Sequence, residues 1–239
     1  MADILFTQGP DELKRAPLAP LHRRLEEVSQ PAPSTIRLAE RPFTTQIGLR
    51  AVPDTAAHRS LAETLGVGLP DRVGEVTGDA ADVAVLWLGP DEFLVVAPPN
   101  RSELVPLLQE ALGAEPGQVV DLSANRTIIE LGGSSARDVL DKGVPADLHP
   151  RVFPTGTAVT TTLGPAAVLL WRAAEENWWI LPRVSFAEYT AQWLLDAVRE
   201  HRLAAPDGVS DAVPDAVADP APASAPDSRE EAPWPATTA

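Results

Sequence analysis

Several stretches carry residue types that could do chemistry. Gly132-Gly133-Ser134-Ser135 stands between an apolar run and a helical one. Amides in such a turn could cradle an anion at a helix start. The pattern also approaches the elbow that presents a nucleophilic serine, with Ala136 where the last glycine belongs. A tight turn with a serine cap accounts for the same residues. Asp147 and His149 lie too close together along the chain to act as orienting acid and base for Ser134. Asp91 and Glu92 are neighbouring carboxylates, but they follow Gly89-Pro90, which is turn chemistry. Gly66-Val67-Gly68 begins like a dinucleotide fingerprint; Asp71 occupies the third glycine position, and the segment follows a helix pattern where the fingerprint needs a strand. The histidines are His22, His58, His149 and His201, with no His-Glu-x-x-His spacing. His22 and Glu26 share a helix face without a third metal ligand in view. No catalytic, cofactor-binding or metal-ligating residue is assigned on these grounds.

Two other features point to contact. Asp121-Leu122-Ser123-Ala124-Asn125-Arg126 is a polar island between two apolar strand patterns. It reads either as a bulge or corner whose side chains tie down the backbone, or as a contact site. Four of the six tryptophans fall between Trp171 and Trp193. In a strand, Trp178 and Trp179 point to opposite faces; one fills the core, and the other goes to solvent, to an opposite sheet layer or to a partner. The candidate partner-contact residues are therefore Ser123, Asn125, Arg126, Trp178 and Trp179.

The elements that must position these residues are legible. Strands are expected at 44–52, 83–88, 93–97, 119–122, 127–131, 158–163, 166–171 and 178–181. Helices are expected at 54–65, closed by Gly66; from Asn100 to 112, with Glu103 completing a capping box; to Lys142 from a serine cap; and from a second capping box, Ser185 to Glu188. The last helix should bury Phe186, Tyr189, Trp193 and Ala197, widened by Leu194 and Val198. Val85-Leu86-Trp87 laid over Leu169-Leu170-Trp171 brings two hairpin–helix units together at a shift of 84 residues. The fold class is thus α+β, with two similar strand–helix–hairpin–helix halves, about 34–120 and 121–203, sharing a core. Residues 1–33 form an N-terminal arm, broken by Pro17, Pro20, Pro31 and Pro33. From Ala204 to Ala239 the Pro/Ala/Asp composition predicts a disordered tail.

The 239 residues carry a net charge of −15, which opposes a nucleic-acid partner. There are no cysteines, so no disulfide, thiolate cage or cysteine nucleophile. Of 19 basic residues only Lys14 and Lys142 are lysine, and arginine suits carboxylate pairing. No apolar run reaches the roughly 18 residues of a membrane span. Met1-Ala2-Asp3-Ile4-Leu5 does not open a secretory signal. A cytoplasmic location is expected.

At several of these stretches the sequence resembles the gamma subunit of heterotetrameric sarcosine oxidase. The resemblance rests on Trp87 to Glu92, Asp121 to Thr127, Lys142 to Pro150 and Ser185 to Tyr189. Arg15-Ala16-Pro17-Leu18 is similar to that family's Ser-Pro-Leu element. It covers about Arg15 to Leu203. Val144 stands where relatives are expected to carry a cysteine, which removes a redox role there. The resemblance implies an accessory, non-catalytic subunit bound to a large alpha subunit, with beta and delta subunits completing the complex. That complex oxidatively demethylates N-methylglycine to glycine, with tetrahydrofolate as one-carbon acceptor. It holds FAD, FMN, NAD, tetrahydrofolate and zinc in the partner subunits, none in this chain. The implied fold is the folate-binding domain of the glycine-cleavage aminomethyltransferase, itself a duplication. A stand-alone folate-binding one-carbon enzyme is the alternative and requires a folate-sized pocket lined by an acid and aromatics. An iron–sulfur assembly factor of the same fold class would need a cysteine motif that is absent.

Overall fold

The computed structural model describes residues 14–29 and 35–203. The expected tail from Ala204 lies outside the described residues, as do residues 1–13 and 30–34 of the expected arm. In chain order the elements are a 3-10 turn (Ala19–Leu21), α1 (His22–Val28), β1 (Arg37–Arg41), β2 (Thr44–Arg50), α2 (Ala56–Leu65), β3 (Val76–Gly78), β4 (Ala84–Gly89), β5 (Glu92–Pro99), α3 (Leu104–Leu112), β6 (Gln118–Asp121), β7 (Ile128–Gly132), α4 (Ala136–Asp141), β8 (Ala158–Leu163), β9 (Ala166–Ala174), β10 (Asn177–Pro182), α5 (Val184–Ala197) and α6 (Arg199–Leu203).

The strands form two five-stranded antiparallel sheets, ordered β1-β7-β10-β9-β8 and β3-β4-β5-β2-β6. Three clusters of buried side chains fix the layering. One joins the first sheet to α1, α4 and α5. A second joins the second sheet to α2 and α3. The third lies between the sheets, where Ala84, Leu86, Leu94 and Val96 meet Leu169, Trp171, Trp179 and Leu181. The stack is helix, sheet, sheet, helix. Both faces of each sheet are covered, so β4, β5, β9 and β10 read as continuous apolar runs with no alternation.

Trp178 and Trp179 are both inside this stack, 1% and 4% exposed. Trp178 points to the helix layer and packs on Phe153 at 5.3 Å between ring centroids. Trp179 points between the sheets and meets Trp171 edge to face at 4.6 Å. The expectation that this pair serves as partner-contact residues is therefore corrected: strand alternation does send the two indoles opposite ways, and each lands in a separate core of this chain.

The last helix also differs from its expected face. α5 buries Ala187, Thr190, Ala191, Leu194 and Leu195. Phe186 and Tyr189 remain 47% and 45% exposed. The stripe of small residues and leucines lets the helix sit close on the sheet, and it displaces the aromatic stripe to the surface. Neither expected capping box forms. α3 begins at Leu104 with no side-chain cap, and the Glu103 carboxylate accepts instead from Arg101 Nε at 2.6 Å. α5 begins at Val184, whose N–H donates to the Asn125 carbonyl at 3.0 Å, so a main-chain oxygen does what the serine was expected to do. α2 follows expectation, with the Thr55 hydroxyl accepting from the His58 N–H and Gly66 ending the helix at φ 68°.

β1 was not anticipated. It pairs with β7, Arg37 opposite Gly132 through Arg41 opposite Ile128, so the sheet assigned to residues 121–203 takes its edge strand from the other half. Residues of the expected arm also belong to the fold: Leu18, Leu21, Leu25 and Val28 are buried in the first cluster. Glu40 anchors them. Its carboxylate accepts from the Leu18 N–H (3.2 Å) and the Thr127 hydroxyl (2.7 Å), and pairs with His22 Nε2 at 2.6 Å. The shift of 84 residues does not keep the faces in step. It lays Val85, which faces helices, on Leu169, which faces the other sheet. A shift of 85, Val85 on Leu170 and Val95 on Ile180, matches helix-facing residues throughout, because a one-residue slip inverts every side chain.

Replacing Trp179 by alanine should empty the space between the sheets and cost about 3–5 kcal/mol. Chemical denaturation of the isolated chain reads this directly; an unchanged midpoint would place the indole outside the core.

Candidate functional site

The polar island is the corner at which the chain leaves the second sheet by β6 and enters the first by β7. Asp121 Oδ1 accepts from the Ser123 N–H (2.9 Å) and hydroxyl (2.6 Å). The Gln46 N–H donates to Ser123 Oγ (3.1 Å), and the Leu122 N–H donates to the Gln46 carbonyl (2.8 Å). Gln46 Nε2 reaches the Arg126 carbonyl at 2.9 Å. Arg126 bridges to Arg183 through the backbone. Of the two readings of this island, the tied-down corner describes its local structure, and it holds β2, β6, β7 and the start of α5 in fixed relation.

Beside the corner opens a cleft of about 670 Å³. It is lined by Asp121, Ser123, Ala124, Arg126 and Thr127 of the corner together with Lys14, Arg15, Pro17, Phe43, Thr45, Asn100, Ser102 and Val184. Its volume lies in the range of ligand pockets. Two further features mark it. Among the described residues three non-glycine residues have positive φ, and two of them, Phe43 (59°) and Asn100 (67°), line this cleft; such strain concentrates at functional sites. The half-buried Arg126 guanidinium donates to the Leu181 carbonyl at 3.3 Å and forms no ion pair among the described residues. Burial, and secondarily the charge of Arg183, hold its pKa below the ordinary arginine value.

Of the expected contact residues, Ser123 and Arg126 line the cleft and Asn125 is exposed beside it; Trp178 and Trp179 do not reach it. The other candidates have local roles. The amides of Gly133, Ser135 and Ala136 donate to backbone carbonyls, and a Cβ on Gly133 would stand 2.2 Å from the Thr35 oxygen. The glycine turn therefore exists for close packing against residue 35. Asp147 and His149 close a turn: Asp147 Oδ1 accepts from the His149 N–H and His149 Nδ1 from the Arg151 N–H. Asp91 and Glu92 pair with Arg50. Gly143 would meet the Trp193 ring at 2.5 Å with any side chain. Among the described residues no three His, Asp or Glu side chains gather as a metal site, and no helix is long and apolar enough to cross a membrane. Phe43 carried no sequence signal; Asn100, after two prolines, did, since asparagine tolerates left-handed backbone.

Residues 50–200 match the model of the sarcosine oxidase, gamma subunit family. The chain belongs to this family. It is 52% identical over 193 residues to the sarcosine oxidase subunit gamma of Corynebacterium sp. (strain U-96), covering 81% of this chain and 94% of the relative. Against the subunit gamma of Corynebacterium sp. (strain P-1) identity is 55% over 166 residues, 70% and 81% of the two chains. In structure it resembles a chain of the heterotetrameric sarcosine oxidase from Corynebacterium sp. U-96 in complex with pyrrole 2-carboxylate, at TM-score 0.76 and 53% identity, over 79% of this chain and 96% of that one. The aminomethyltransferase T of the glycine cleavage system from Bartonella henselae shares the fold at TM-score 0.52 and 15% identity, over 73% of this chain and 48% of that one. The α+β class agrees with both.

The backbone at position 100 of this gamma-family chain yields a stability test. Asn100→Gly should leave the thermal midpoint unchanged or raise it, whereas Asn100→Val should lower stability by about 1–3 kcal/mol. Equal midpoints for the two variants would mean that the left-handed conformation is not maintained.

Proposed function

We propose that this chain is an accessory, non-catalytic subunit of a heterotetrameric sarcosine oxidase acting in the cytoplasm. The complex demethylates N-methylglycine oxidatively to glycine with tetrahydrofolate as one-carbon acceptor. This chain docks on the large alpha subunit, with beta and delta subunits completing the assembly. FAD, FMN, NAD, tetrahydrofolate and zinc belong to those partners. The observation that carries the reading is the 53% identity over 96% of a chain of a heterotetrameric sarcosine oxidase. The local roles of Asp147 and His149 support a non-catalytic assignment. Docking uses the corner at Ser123, Asn125 and Arg126, whose hydrogen bonds present a preformed surface and lower the ordering cost of association.

The two halves derive from a duplication. What supports this is the matched strand order, β3-β4-β5-β2-β6 against β8-β9-β10-β7-β1, and the face-preserving shift of 85 residues. A second reading, folate binding by the isolated chain, is favoured by one observation, the 670 Å³ cleft that Asp121 and Phe43 both line.

The chain purified alone should be colourless and inactive on N-methylglycine, and should enter an active complex when co-expressed with its partner subunits. A bound flavin or turnover by the isolated chain would contradict the accessory role. Saturable folate binding by the isolated chain would move the conclusion to the second reading.

A further inference from the structure

The cleft reaches the start of α5. Val184 lines the cleft and opens the helix. Phe186 and Tyr189, on the same helix, are nearly half exposed. Phe43, 42% exposed, also lines the cleft. An exposed aromatic, Phe43, and a half-buried arginine, Arg126, line the same cleft, and both residue types are enriched at interface centres.

The charge of the cleft specifies what its occupant carries. Arg126 donates to one carbonyl; its remaining N–H groups have no partner among the described residues, and Arg183 is a like charge beside it. Asp121, the acid lining the same cleft, holds the N–H and hydroxyl of Ser123 and forms no ion pair with Arg126. Removing a guanidinium from water without a counter-charge is unfavourable, and a planar fork of donors matches a carboxylate.

We propose that this cleft receives a carboxylate of the partner subunit, an Asp or Glu side chain or a chain terminus, which pairs with Arg126 while apolar neighbours of that carboxylate cover Phe43 and Val184. This rests on the reading that the chain docks on a partner subunit, and it names the chemistry of the contact. In the free chain Arg126 is an uncompensated charge; in the complex it is the anchor.

The test uses the chain both alone and co-expressed with its partner subunits. Arg126→Met keeps the apolar stem. In the isolated chain its thermal midpoint should stay within about 2 °C of the parent, or rise. In the complex it should weaken association about 30-fold or more, the effect of truncating one member of a buried charge pair. Arg126→Lys puts an amine at the same place, so carbodiimide treatment of the complex should join it to a carboxylate of the partner, read by mass spectrometry. Wild-type affinity for Arg126→Met overturns the carboxylate contact and leaves the docking reading standing. Unfolding of the isolated Arg126→Met chain also overturns it, since Arg126 would then be a structural residue. So does a crosslink confined to Asp121 of the same chain. Failure of the unsubstituted chain to join its partner subunits removes both readings.

Discussion

The inner faces of the two sheets have no helix to cover them, so each sheet is the other's lid. A tryptophan buries roughly 150–250 Å², worth about 4–6 kcal/mol at the usual 25 cal/mol per Å², and both Trp171 and Trp179 are placed between the sheets. Arg41 closes the seam, its guanidinium 4.5 Å from the Trp179 ring while it pairs with Glu130 at 2.8 Å. Two elements of the surface depend on this contact. The corner from Asp121 to Thr127 is the strand-to-strand crossing between the sheets, and the cleft is walled by residues from both sides of that crossing.

The same packing sets the roles of many polar side chains. Polar side chains in the described residues are mostly occupied in holding the chain. The buried Arg172 guanidinium donates to the carbonyls of Phe153 and Glu175 and lies over Trp178 at 5.4 Å. Glu40 binds the N-terminal segment to β1 and β7. Gln46, Ser123 and Asp121 are committed to the corner. Arg126, like Arg172, has no opposite charge among the described residues, but it donates to one carbonyl where Arg172 donates to two, and it lines an open cleft.

Much of this was legible in the residues. The hairpins around Pro90-Asp91 and Gly164-Pro165, the Gly66 helix stop and the polar corner follow from local turn chemistry, which needs no knowledge of distant contacts. What was not legible depends on the second layer. Trp178 and Trp179 alternate as any strand pair does, and only the sheet–sheet stack turns the outward one into a core residue. Phe186, Tyr189 and Trp193 share helical spacing with Ala187, Ala191 and Leu194, and packing distance to β10 decides which stripe goes inside. β1 was missed because Arg37-Leu38-Ala39-Glu40-Arg41 is an edge strand with one buried apolar side chain, Leu38, and its partner β7 is ninety residues away. Glu40 was missed because a buried carboxylate looks like a surface one until its donors are in place.

The corner and the start of α5 are proposed as the surface where this chain meets its complex. Amide hydrogen exchange, compared between the isolated chain and the assembled oxidase, measures that surface without any substitution. Protection on assembly should rise at residues 43–45, 121–127 and 184–189 and stay unchanged in the helix layer of α2 and α3. Protection gained in α2 and α3, with residues 121–127 exchanging as they do in the free chain, would contradict it.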